Sequence, residues 1–248
     1  MRRLAFLLPA LLMLWSCSKQ ISDSPPNSGS VESSQRSVIV LSVPSSSPTP
    51  TTPVAEGSIA PLTVPFTSQA PHANWDDPYQ EACEEAAILM VVHYLNGTPI
   101  TPEIADRDIL DLVAWETDNG YGQDITAAQM AEVAEAKFGV RARVRTDVTE
   151  ETIVEELAAG NPVIVPAAGR DLGNPYFSGE GPWYHALVIV GYEEGWTGRR
   201  WFIVNDPGTK RGSRYEYRTS VLLNAIHDWA GVKEEIRSGP KAMVILEK

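Results

Sequence analysis

The sequence predicts an α+β domain, a helical half followed by a strand half that packs against it. Two observations carry this. Between residues 82 and 160, apolar residues recur at helical spacing in runs with capping residues at their ends. Beyond residue 160 the period changes, and β-branched and aromatic runs alternate with turn residues. Helices first and antiparallel strands after them is an α+β order, giving two packed lobes.

The first helix is expected over Ala82 to Leu95. It is apolar almost all round, which predicts burial on every side. "TPEIADRDILDLVAWE" offers Thr101 as N-cap and Pro102 at the first helical position. "TAAQMAEVAEAKFG" offers a capping box of Thr126 and Gln129, with Gly139 as the stop. "TEETIVEELAAG" is a fourth helix, from Thr149 to Gly160. Strands follow in "PVIVPAA", "WYHALVIVGYE", "RWFIVND" and "KAMVILE". "EEGWTG" reads as the hairpin connection between the second and third of these. A last helix is expected from Thr219 to Trp229.

Ahead of this domain, "MRRLAFLLPALLMLWSC" reads as an export signal. Arg2 and Arg3 precede an apolar core too short to be a comfortable membrane span. Its end, "LWSC", resembles the lipobox of bacterial lipoproteins, which implies lipidation of Cys17. Residues 18–58 are rich in Ser, Pro and Thr and cannot bury enough apolar area to offset chain entropy, so they read as a tether. The expected layout is a signal peptide at 1–17, a tether at 18–58 and a folded domain at 59–248. It implies a membrane partner through the lipid and an extracytoplasmic, envelope-anchored protein.

The formal net charge of -12 argues against a nucleic-acid partner, which would need a basic face. The histidines and two cysteines show no zinc-like spacing, and Gly120 and Gly122 lack the lysine of a phosphate loop, so no metal or cofactor is expected. With Cys17 consumed by lipid, Cys83 is a lone thiol in an oxidising compartment, and that demands a reason. Cys83 stands at the start of the buried helix, where free N–H groups and the helix dipole favour a thiolate. Glu84 and Glu85 oppose ionisation if they face the sulfur. His185 opens the run "HALVIVGY" at the mouth of a central strand, whereas His72, His93 and His227 read as ordinary structural or solvated residues. Asp206 ends the next strand in "NDPG" and, across a hairpin, comes beside His185; Asn205 is the substitute candidate for orienting the ring.

These residues together resemble a family. The order Cys, His, Asp or Asn is that of the papain fold, and the segments "VPFTSQAPHANWDDPYQEACEEAAILM", "YHALVIVGY" and "VNDPGT" are similar to cysteine peptidase family 39, the bacteriocin-leader peptidases and their stand-alone relatives. The resemblance implies a papain-like fold with the nucleophile helix packed on an antiparallel β lobe. It implies Cys83 as nucleophile, His185 as acid and base, and Asp206 as orienter. It also implies a glutamine side chain as oxyanion donor. In the bacteriocin-leader enzymes that residue lies where this chain has Asp77; Gln80 is the nearer candidate here and Gln69 lies farther back. Trp75, Tyr79, Trp183 and Tyr184 are expected to line the cleft. The expected protein is a monomeric cysteine peptidase acting on peptides or proteins. The competing expectations are a peptidoglycan amidase or endopeptidase with the same chemistry, and a binding lipoprotein with none.

Overall fold

The computed structural model describes residues 57–248. The expected signal peptide, the Cys17 lipidation site and nearly all of the expected tether lie outside the described residues.

A 3-10 turn, Tyr79–Glu81, leads into α1, Cys83–Asn96. Every residue of α1 from Cys83 to Val92 is buried. Ile88, Leu89, Met90, Val91 and Val92 each contribute about 1.5–3 kcal/mol on burial, enough to hold two glutamates inside the same helix. Helix α2, Pro102–Asp118, starts at Thr101, whose hydroxyl accepts the Ile104 N–H at 3.3 Å. Helix α3, Ala127–Phe138, opens with the Thr126–Gln129 capping box and ends at Gly139, with φ 68°.

A strand then appears inside the helical half. β1, Arg141–Arg145, lies in a stretch where the sequence predicts no element, since its alternating arginines leave only Ala142 and Val144 apolar. The arginines are paired: Arg143 and Arg145 both bond the Glu156 carboxylate of α4, Glu150–Ala158, and Arg143 also bonds Glu247. An edge strand guarded by charge in this way resists pairing with other chains. Then come β2 (Val163–Ala168), β3 (Tyr184–Glu194), β4 (Arg200–Asn205), β5 (Tyr215–Arg218), α5 (Thr219–Ala225) and β6 (Met243–Glu247). α5 stops short of the expected Trp229. Ile226 leaves the helix to bridge Ala167, and Asp228 turns its carboxylate onto the Ala127 N–H at 2.8 Å, supporting the start of α3.

The strands form one antiparallel sheet in the order β1-β6-β2-β3-β4-β5. Alternate residues serve opposite faces. Ile164, Ala186, Val188 and Val244 meet α1–α3, while Val165, Leu187, Ile189 and Ile245 meet α4 and α5. The helical half is therefore divided, with α4 crossing to the back of the sheet. β3 is covered on both faces, which explains its nearly unbroken apolar run.

Residues 59–70 run across the domain and tie the two ends of β3 together. Ile59 bridges Tyr192, the Leu62 N–H bonds the Val190 carbonyl at 2.7 Å, and the Gln69 N–H bonds the Pro207 carbonyl at 3.0 Å. At Gly191, beside the β3–β4 bulge, a Cβ would stand 2.9 Å from the Pro61 backbone, so only glycine permits this crossing.

Candidate active site

Cys83 is the first residue of α1, where N–H groups of the first turn have no intrahelical partner. His185 is the second residue of β3, held in register by pairing with Ala167 of β2. Asp206 directly follows β4. Because β3 and β4 form an antiparallel hairpin, the end of one lies beside the start of the other. The His185 Nε2 is 2.8 Å from Asp206 Oδ1. An unprotonated carboxylate can only accept, so Nε2 carries the proton and Nδ1 is the ring's basic nitrogen.

Asp206 is fully buried and fully occupied. Besides the His185 ring it accepts from the Gly208 N–H at 2.9 Å, the Tyr217 hydroxyl at 2.6 Å and the Asn174 amide at 3.0 Å. Burial alone would push its carboxyl up. The charge and N–H of His185, then Tyr217 and Gly208, outweigh burial and hold it below the usual carboxylate range. Asn174 and Tyr217 are supporting residues that the sequence did not reveal. Tyr217 sits on the unforeseen strand β5, and Asn174 in a loop whose path depends on Asp206 itself. Asn205 faces elsewhere: its amide donates to the Val64 carbonyl at 3.2 Å and its oxygen accepts the Arg214 N–H.

The thiol is buried. It receives the Ala186 N–H at 3.4 Å, one residue past His185, and lies 2.9 Å from Glu84 Oε2. No hydrogen bond joins Cys83 to His185 among the described residues. The helix-start argument predicted an easily ionised thiol, and the surroundings reverse it. Burial, then the charge and hydrogen bond of Glu84, push the Cys83 thiol well above its usual range, against a smaller opposite pull from the Ala186 N–H.

Cys83 and His185 line one cleft of about 650 Å³. Trp75 and Tyr176, each a little under half exposed, stand on its walls with Lys210. Trp183 and Tyr184 line it too. Trp183 is covered by the Arg170 guanidinium 3.5 Å from its ring centre, and Tyr184 donates its hydroxyl to the Ile125 carbonyl at 2.7 Å. Tyr79 departs from expectation: its hydroxyl bonds Asp106 of α2 at 2.5 Å, and it is not part of the cleft lining. Gln80 also departs. It borders the cleft, but its amide donates to Asp77 at 2.9 Å on the exposed side, because the 3-10 turn aims it outward. Gln69 is the buried amide beside Cys83. Its nitrogen is 2.9 Å from the carbonyls of both Tyr79 and Gln80, and its oxygen has no partner. The Gln69–Pro207 backbone bond holds it there. Among the described residues no cluster of His, Cys, Asp and Glu is arranged to hold a metal ion.

A model of the Peptidase_C39 like family matches residues 61–235, a span that contains Cys83, His185 and Asp206. The chain belongs to that family. The fold of this C39-like protein, α+β and papain-like, is shared with a solved structure described as a C39-like peptidase from Bacillus anthracis. The two are 14% identical, with a TM-score of 0.50 over 77% of this chain and 98% of that one. UfSP from C. elegans, also 14% identical, aligns over 77% of this C39-like chain and 34% of its own, at a TM-score of 0.41. No curated protein matches the chain.

Gly208 sets how closely the turn after β4 approaches the imidazole. A Cβ there would stand 2.9 Å from His185 Cε1 and 2.9 Å from the Phe177 ring, which itself packs edge-on against His185. Gly208→Ala is expected to displace the ring, since small misplacements of reacting groups cost rate steeply. A loss of about 10- to 100-fold in kcat/KM is expected on a fluorogenic peptide. Thermal unfolding should move much less, because the turn is at the surface of the cleft.

Proposed function

We propose that this protein is a cysteine peptidase that hydrolyses peptide bonds through Cys83, His185 and Asp206. The single observation that carries this reading is the cleft itself. A lone thiol at a helix start and an imidazole anchored to a buried carboxylate open onto the same cavity.

In this reading, Cys83 Sγ attacks the scissile carbonyl as its proton passes to His185 Nδ1. The sulfur–carbon bond forms while the carbonyl π pair moves onto oxygen. The unpaired N–H groups at the start of α1 stabilise that oxyanion; one such donor is worth about 2.7–4 kcal/mol. The Gln69 amide nitrogen is already committed to the Tyr79 and Gln80 carbonyls and is not assigned to the oxyanion. The imidazolium, stabilised by Asp206, protonates the leaving amine. The neutral imidazole left behind then takes a proton from water as the water oxygen bonds to the acyl carbon, and the C–S bond breaks with the proton returned to sulfur. Trp75 and Tyr176 form the walls that an extended peptide would meet. The N-terminal sequence supports a lipid-anchored, extracytoplasmic setting, with Cys17 as the lipidated residue.

Hydrolysis of unfolded protein and of purified peptidoglycan, each with Cys83→Ala as blank, tests the reading. Release of new amino termini from the protein substrate, absent in the blank, is the expected result. Cleavage of wall peptides alone would make the protein a wall amidase or endopeptidase. Cleavage of neither substrate, under conditions where the thiol is alkylated normally, would favour a binding protein on this fold.

A further inference from the structure

We propose that Glu84 is a positioning residue for Cys83, whose carboxyl group holds the thiol protonated at rest and lets it go only when a bound substrate draws the proton to His185. The inference rests on the reading of Cys83 as nucleophile.

Both oxygens of Glu84 are committed. Oε2 lies 2.9 Å from Cys83 Sγ, and Oε1 accepts the Ile125 N–H at 3.2 Å. The side chain has no exposure, so water does not screen its effect on the sulfur. Among the described residues no cation pairs with it. Lys233, the nearby positive charge, is engaged at 3.2 Å by Glu81 and at 3.6 Å by Asp124. The other groups around Glu84 are acidic or neutral on every side. Glu85 follows it on α1, Glu116 approaches from α2, and Asp124 lies just before α3. Tyr184 of β3 gives its hydroxyl to the Ile125 carbonyl, and Asp228, after α5, faces the Ala127 and Trp229 N–H groups. His185 is the basic group that lines the same cleft as the thiol, and Asp206 already holds that ring. Burial, then the charge of Glu85, raise the Glu84 carboxyl well above its usual range.

In such a pocket the first negative charge resists a second. An ionised Glu84 accepts the S–H and opposes a thiolate. A protonated Glu84 has its only free O–H on Oε2, aimed at the sulfur, and supports the thiolate as it forms. Burial raises both groups, so at rest the pocket keeps both protons until a base takes one. Oxidants and adventitious electrophiles attack the thiolate, so Glu84 also answers why a lone cysteine endures at this site.

The test is iodoacetamide alkylation of the full chain against pH, followed on the Cys83 peptide by mass spectrometry. Wild type should titrate above the free-cysteine value of about 8.5. Glu84→Gln keeps the side-chain volume and the acceptor for Ile125 but cannot ionise. Its midpoint should fall by about one pH unit or more, which is about tenfold faster alkylation at a fixed pH below the midpoint. Glu85→Gln, which does not touch the sulfur, should shift the midpoint less. A wild-type midpoint at or below about 8.5 overturns the proposal whether or not the variants fold. So does a Glu84→Gln profile that superimposes on wild type. Alkylation reads the thiol and not hydrolysis. Retention of hydrolysis in Cys83→Ala would therefore refute the nucleophile reading while the alkylation profiles still judged Glu84.

Discussion

Cys83→Ala is expected to lower kcat/KM on a peptide substrate by at least about 10⁴-fold while leaving the domain folded. The size follows from what a nucleophile does. Without it no acyl-enzyme forms, and the residual rate is that of water attacking a bound, polarised carbonyl. The fold should tolerate the change because Cys83 is small and sits at the helix start, where alanine fits the same space. The thiol's hydrogen bonds to Glu84 and from Ala186 are lost together. Glu84 still accepts from Ile125, so its carboxyl is not orphaned. The check is hydrolysis of a fluorogenic peptide beside a thermal unfolding curve. Substantial activity in Cys83→Ala would remove the basis of the catalytic reading.

Asp206→Asn is expected to lower kcat by about 10²- to 10⁴-fold with little change in KM, because the carboxylate touches the imidazole and not the substrate. An amide there can present its nitrogen to His185 and disfavour the tautomer that leaves Nδ1 basic. The same substitution bears on stability, and the sign is fixed by the direction of the carboxyl's shift. Asp206 in the folded protein lies below its ordinary value of about 3.9. Its contribution is therefore fully present above that value and is lost as pH falls through the folded one. Wild type should lose stability on acidification, and Asp206→Asn should start lower at neutral pH and lose less over the same range. Asp206→Ala is harsher. It strands the Tyr217 hydroxyl, the Asn174 amide and the Gly208 N–H in a dry site, at about 3–5 kcal/mol. Thermal melts across the acid range, paired with kcat and KM, separate the two effects.

The parts of this molecule that could be read from its sequence are those fixed by local rules. Caps at Thr101 and Thr126 marked two helix starts, because a side-chain oxygen three residues ahead of an N–H is a short-range arrangement. The β3–β4 hairpin was legible from its turn residues, and with it the nearness of His185 and Asp206. What escaped depended on distant partners. β1 received no element, because Glu156 and Glu247, which pair with its arginines, come from distant parts of the chain. The burial of Gln69 against the 3-10 turn could not be read by counting along the chain, since its backbone is held by the Pro207 carbonyl, far away in sequence. Tyr79 was drawn off by Asp106, and Glu84 was turned onto the sulfur by an N–H that belongs to Ile125. In each case a residue's type was visible, and the direction of its side chain was decided by a part of the chain folded in from elsewhere.

The crossing of residues 59–70 over β3 has a consequence for orientation. Ile59 meets the strand at Tyr192, and the imidazole sits near its other end, about 23 Å away at strand rise. The described chain therefore enters the domain at the strand end remote from the imidazole. A group attached at residue 57 would stand clear of the cleft lining, which begins at Ser68.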